Sequence, residues 1–233
     1  MAGGTDARPP GVGVSHEAGV RRWAIVAIVA QIAFVGSWLI AAFWQGPRYS
    51  VLVHSMSDMY AVDAPYGAFL VVVFTLCGAA TILFAVLSLR PSLRPAGWSA
   101  TVGTVLLALS IYGLGDLLSP FEREGCRLAD PGCTGAAQFA NLGGKLDAAL
   151  TLEGLVLFVA AGFFLASAMK RVPGWGRWAG PTRWATVLFI ALLVATVLAE
   201  AVGLGGLFER LLATTGAAGL VVLAVGVLQR TRA

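Results

Sequence analysis

Apolar runs as long as a membrane is thick recur six times along the chain, separated by short polar segments. They extend from Trp23 to Trp44, Ala68 to Ser88, Ser99 to Leu118, Ala148 to Met169, Trp184 to Leu204 and Leu211 to Leu228. A helix needs about 20 apolar residues to span the hydrocarbon core. The runs are continuous rather than alternating, and far exceed the roughly 10 residues of a membrane β-strand. The pattern predicts an all-α polytopic membrane protein, a six-transmembrane-helix bundle formed by residues 21–233 as one domain. Residues 1–20 hold Gly3, Gly4, Pro9, Pro10 and Gly11 without hydrophobic periodicity, and read as a disordered cytoplasmic tail. Arg21-Arg22 before the first run looks like the start of a secretion signal. The run, however, exceeds the usual 7–15 or so apolar residues and no small-x-small cleavage site follows, so a retained first helix is expected.

Composition sharpens this picture. The chain is 58% hydrophobic and 12% charged, too few charges to cover a soluble surface. Its net charge of +4 sits at helix ends, with no basic patch interleaved with aromatics. No nucleic-acid partner is therefore expected. The lipid bilayer is the expected partner, and the oligomeric state is not legible. Abundant Ala, Gly and Val, with Arg preferred over Lys, point to a GC-rich bacterial genome and so to a bacterial inner (cytoplasmic) membrane.

Eleven of the sixteen Lys and Arg residues lie in the tail, the alternate connections around Arg90, Arg94, Lys170, Arg171, Arg177 and Arg183, and the end with Arg230 and Arg232. Ten of the twelve acids lie toward the opposite side. The positive-inside rule makes the basic side cytoplasmic, and an even helix count places both termini there. Trp23, Trp44, Trp98, Trp175, Trp178 and Trp184 sit at or beside run ends, as interfacial anchors do. Two outer connections, Gln45 to Gly67 and Ser119 to Asp147, each exceed 20 residues. Loops of that length in a compact protein are usually functional.

Asp116, Glu153 and Glu200 fall inside apolar runs. From the inner helix ends they lie roughly 27, 25 and 24 Å up the third, fourth and fifth helices. That is just below the outer surface of a core about 30 Å thick. Ionisable groups at this depth face the bundle interior or a wet cavity. With Ser50, His54, Ser57 and Asp58 in the first outer loop and Asp147 entering the fourth helix, they are expected to ring an outward-facing acidic pocket. In the alternative reading Asp116 and Glu200 are helix-end residues that reach water or pair with Arg48, Arg123 or Arg210.

Ser50, His54 and Asp58 are spaced i, i+4, i+8, and would share one face if Tyr49 to Asp58 formed a short interfacial helix. These residue types can act as nucleophile, base and orienting group. Side chains projecting in parallel from one helix suit a polar pocket face better than a convergent triad. Cys126 and Cys133 flank a Pro131-Gly132 turn signal and are placed for a local disulfide on an oxidising face, free thiols being the alternative. Cys77 reads as a packing residue. The two histidines, His16 and His54, lie on opposite sides, so no metal is expected. No cofactor is expected either, because Gly203, Gly205 and Gly206 lack the Lys-Ser or Lys-Thr of a phosphate loop.

The Ser57-Asp58 pair after the first helix, Asp116 near the end of the third, and the polar Asp130-Pro131-Gly132-Cys133 loop before the fourth carry a resemblance. Over roughly residues 22 to 230 the chain resembles the bacterial multi-pass integral membrane family known as domain of unknown function number 998. The resemblance implies a similar helix count and no defined reaction. Members with this pattern often carry a His entering the fourth helix, where this chain has Lys145-Leu146-Asp147.

Three function classes fit this reading. The first is a non-enzymatic membrane protein using the outer pocket to bind a lipid, isoprenoid or other small amphipathic molecule. The second is an intramembrane enzyme, an acid-catalysed cyclase or hydrolase acting on a lipid or polyisoprenoid through a carboxyl group whose pKa is raised by burial. A proton-coupled transporter fits less well, because the inner halves of the helices carry almost no polar residues. The first is preferred.

Overall fold

A segment crossing hydrocarbon must satisfy its own backbone hydrogen bonds, which leaves these apolar runs the helix. The computed structural model describes the backbone of residues 12–231 and the side chains of residues 17–231. Helix α1 covers Val12–Ala41, α2 Gly67–Ala96, α3 Trp98–Leu109, α4 Ile111–Leu118, α5 Leu142–Arg171, α6 Gly176–Glu200 and α7 Gly205–Arg230. Five helices can each cross a membrane, and the bent pair α3–α4 makes a sixth span. No strand occurs among the described residues. The protein is a polytopic helical bundle.

Each span packs on its neighbours in sequence, and α7 returns to α1, so the spans close a ring. Arg21 Nη1 donates to Thr231 Oγ1 at 3.4 Å, which joins the two ends of the described chain at one end of the ring. The long connections, residues 42–66 and 119–141, gather at the other, the loop end. Outward-facing side chains on the spans are apolar: Ile32 is 65% exposed, Leu76 64% and Val197 66%. Such a surface suits lipid rather than water. Inside, Phe34 meets Phe74 and Tyr112 at 5.0 and 5.8 Å between ring centroids, and Phe158 meets Tyr112 and Phe189, both at 4.8 Å.

Three boundaries differ from the sequence expectation. Residues 12–20, read as part of the tail, are helical: α1 begins at Val12, and the buried Val20 accepts a hydrogen bond from Ser88 Oγ at 2.9 Å. Residues 1–11 lie outside the described residues. Helices α5, α6 and α7 each start about two turns before their apolar runs, because Asp147, Arg183 and Glu209 occupy helical positions near the ends. An apolar run measures the width of hydrocarbon, not where helical hydrogen bonding stops.

The third correction matters most. The run from Ser99 to Leu118 is not one continuous helix; it breaks at Ser110, and α3 and α4 meet at a bend of 40°. Ser110 is extended (ψ 177°), and both its N–H and its hydroxyl donate to Leu107 O, at 3.3 and 2.8 Å. That carbonyl would otherwise serve the N–H of Ile111 in a regular helix. Gly113 and Gly115 follow, both weak helix formers. Irregular backbone at membrane depth is tolerated where it is buried in protein or lines a cavity.

Candidate functional site

Ser55 to Tyr60, at the loop end, contains a single 3-10 turn at Ser57–Tyr60, in which Asp58, Met59 and Tyr60 are buried. The first loop is fastened to α7. Arg210 Nη1 donates to the carbonyls of Val51, His54 and Gly206 at 3.0, 2.9 and 2.7 Å, and Arg210 Nη2 donates to the Tyr49 hydroxyl. Glu209 accepts the N–H of Met56 on both carboxylate oxygens, at 3.2 and 3.1 Å. Gly206 permits this approach, since a Cβ there would collide with the His54 carbonyl.

The second long loop lies across the first. Arg123 donates to the carbonyls of Tyr60, Ala61 and Val62 at 2.9, 2.7 and 3.2 Å, and Val62 N–H donates to Glu124 O at 3.0 Å. The buried Asp58 carboxylate accepts the N–H groups of Leu128 and Ala129. Those two residues lie in a loop closed by a Cys126–Cys133 disulfide, with Cα atoms 5.9 Å apart. Arg127 Nη2 ties the same loop to Gln45 O at 2.8 Å.

Beneath this double layer lies a cavity of about 170 Å³. Its walls come from α1 (Phe34), α2 (Phe74), the first loop (Met56, Ser57, Tyr60), α4 and the residues after it (Ile111, Tyr112, Asp116, Ser119, Glu122), α5 (Asp147, Thr151, Leu155) and α7 (Glu209, Leu212, Ala213). The break at Ser110 thus places Ile111, Tyr112 and Asp116 on the cavity wall. Tyr60 hydroxyl donates to Asp147 Oδ1 at 3.3 Å. Asp116 Oδ2 and Glu122 Oε1 are buried and meet no hydrogen-bond donor among the described residues. Burial, reinforced by the charge of Asp147, pushes the Glu122 carboxyl up to about 8. Just outside the lining, Glu124 accepts from Ser57 Oγ at 3.0 Å and from Gln138 Nε2 at 2.8 Å, yet burial and Asp147 raise it to about 8 as well.

A second cavity, of about 420 Å³ and almost wholly apolar, lies between α5, α6 and α7. Leu107, Phe158, Leu165, Phe189 and Leu223 line it. It is separated from the acidic cavity by the Tyr112–Phe158 contact and by α7, whose Leu211 faces one cavity and Leu212 the other.

The structure brings together part of the set read from sequence. Ser57, Asp116 and Asp147 line the acidic cavity. Glu153 and Glu200 do not: both are exposed. Asp147, Thr151 and Leu155 follow one another at i, i+4, i+8 on the cavity face of α5. Glu153 is six residues from Asp147, about 240° around the helix at 3.6 residues per turn, and so points away. Glu200 lies on α6, which contributes nothing to this wall. Nor do Ser50, His54 and Asp58 share a helical face, because the segment folds as turns. Ser50 N–H donates to His54 Nδ1 at 2.9 Å, while the Asp58 carboxylate is turned to the second loop. Sequence reasoning does not single out Tyr60, Glu122 or Glu209. The i, i+4 repeat of Asp147 and Thr151 is a signal that points to this wall; for Glu122, in an irregular loop, there is none.

No curated protein and no solved structure matches the chain. The family described as "Protein of unknown function (DUF998)" matches residues 27–226, most of the chain and all six spans in large part, and the chain belongs to that family.

Proposed function

We propose that this chain is a non-enzymatic binding protein of the bacterial inner membrane, taking a small amphipathic or lipid-derived molecule at its loop end. In this reading the polar head meets the carboxyl groups of the acidic cavity and the apolar part packs against its aromatic wall, Phe34, Phe74 and Tyr112. The positive-inside rule supports an outward-facing loop end, with both termini cytoplasmic. The observation that carries the reading is the pair of buried, unpartnered oxygens, Asp116 Oδ2 and Glu122 Oε1, on a cavity built around a broken span. Of the ten buried side-chain atoms without a partner among the described residues, these two alone belong to residues that line the cavity, where a ligand that supplies donors accounts for them.

A direct test is to purify the protein in mild detergent and identify co-purifying small molecules by mass spectrometry. Wild type is compared with Asp116→Asn and Glu122→Gln. A specific molecule retained by wild type and lost from both variants is the expected result. Bulk lipid unchanged by either substitution, in equally folded protein, would overturn it.

A second reading is an intramembrane enzyme in which Glu122, raised to about 8 and so largely protonated at neutral pH, donates a proton to a lipid or polyisoprenoid substrate. It predicts product formation abolished by Glu122→Gln.

A further inference from the structure

We infer that the ligand's head is an organic ammonium carrying N–H donors. The inference rests on the binding reading above and names the chemistry of that same site. Asp116, Glu122, Asp147 and Glu209 all line the cavity, and among the described residues no Lys, Arg or His does. The five basic residues of the loop end are engaged elsewhere. Arg123 and Arg210 are spent on backbone carbonyls and the Tyr49 hydroxyl, and Arg48 and Lys145 are exposed off the cavity. Arg127 pairs with Asp130 at 3.6 Å, the sole ion pair among the described residues. Four carboxyl groups therefore line one cavity; the charge of Arg210 reaches Glu209, and among the described residues no cation acts on Asp116, Glu122 or Asp147. Asp116 and Glu122, only 8% and 3% exposed, each present an oxygen that lacks a donor.

The shape of the site selects among cations. Among the described residues no three His, Cys, Asp or Glu side chains converge closely enough to hold one metal ion. A compact divalent ion would need such convergence. The cavity instead has the size to take a small organic group, since an engineered space of about 150 Å³ binds benzene. Phe34, Tyr60, Phe74 and Tyr112 supply aromatic surface that stabilises an organic cation. Carboxylate oxygens without donors call for N–H groups, which a protonated amine provides and a quaternary ammonium lacks.

The test is calorimetric titration of the full chain in a neutral detergent at about pH 9, above the value of about 8 at which Glu122 ionises and below that of an alkylammonium, with n-hexylammonium, tetramethylammonium and 1-hexanol as probes. Hexylammonium is expected to bind with one-to-one stoichiometry, more tightly than either other probe. Asp116→Asn and Glu122→Gln should each weaken it roughly tenfold to a hundredfold, the scale of one charge-assisted hydrogen bond. Glu153→Gln and Glu200→Gln, which remove exposed acids, should leave it unchanged. Melting temperature of the wild type with each probe gives a readout that needs no variant: hexylammonium should raise it more than hexanol does. If hexanol binds as well as hexylammonium and responds to the cavity variants, the ammonium assignment falls and the binding reading stands. If neither probe binds, and no specific molecule co-purifies, both fall.

Discussion

Asp58 holds the backbone of Leu128. Its buried carboxylate accepts that residue's N–H and, at 3.3 Å, the N–H of Ala129, fastening the second long loop onto the first. The two residues are 70 apart in sequence. The contact gives the Ser57-Asp58 pair a structural meaning: Ser57 binds Glu124 and lines the acidic cavity, while Asp58 binds the disulfide loop. Burial raises the Asp58 carboxyl, and the two N–H donors act against that rise.

Replacing Asp58 by Ala should leave two buried N–H groups without acceptors, lowering stability by about 1–3 kcal/mol. The loss should appear as a lower melting temperature in detergent and as faster proteolysis within residues 119–141. An unchanged cleavage pattern would argue that the loops are held otherwise.

Removing the disulfide with Cys126→Ser and Cys133→Ser should destabilise the protein by about 2–3 kcal/mol, the chain-entropy value for so short a closed loop. Because Asp58 grips residues inside that loop, the combined Asp58→Ala and double-cysteine variant should lose less than the sum of the separate effects. Simple additivity, measured by chemical denaturation, would show that the two fastenings act independently.

Stability should fall as pH rises. Glu122 and Glu124 ionise near 4.5 when unfolded and near 8 when folded, from burial first and the charge of Asp147 second. The folded protein then holds protons that the unfolded chain has released. Their stabilising effect is complete below about 4.5 and is lost as pH rises through about 8. Melting temperature measured across that window should decline, and less steeply in Glu122→Gln. An ammonium probe should show the opposite trend, binding better as the cavity carboxyls ionise.

Gly154 on α5 faces the break in the third span, and a Cβ there would stand 2.7 Å from Ile111 N. Gly154→Ala should therefore destabilise the bundle by about 1–3 kcal/mol through overpacking. Gly36→Ala, where nothing lies within 4 Å, should be neutral or slightly stabilising. Equal melting temperatures for the two variants would mean that α5 can move off Ile111 at little cost.

Six apolar runs and the segregation of charge are legible in the sequence, because each depends on distance along the chain. Hydrocarbon thickness sets run length, so counting residues is enough to find each span, including the third, whose break at Ser110 it does not reveal. Direction around the helix axis is not legible. The spans are apolar on every face, so their patterning does not tell an inward from an outward side. Glu153 and Asp147 illustrate this, being close in sequence yet one exposed and one on the cavity wall. Only tertiary structure decides that α7 closes on α1, that Ser110 diverts the third span, and that Glu122 and Glu209 enter the cavity. Those features arise where a side chain competes for a backbone carbonyl, or where segments far apart in the chain pack together, and no local property of the sequence encodes such a meeting.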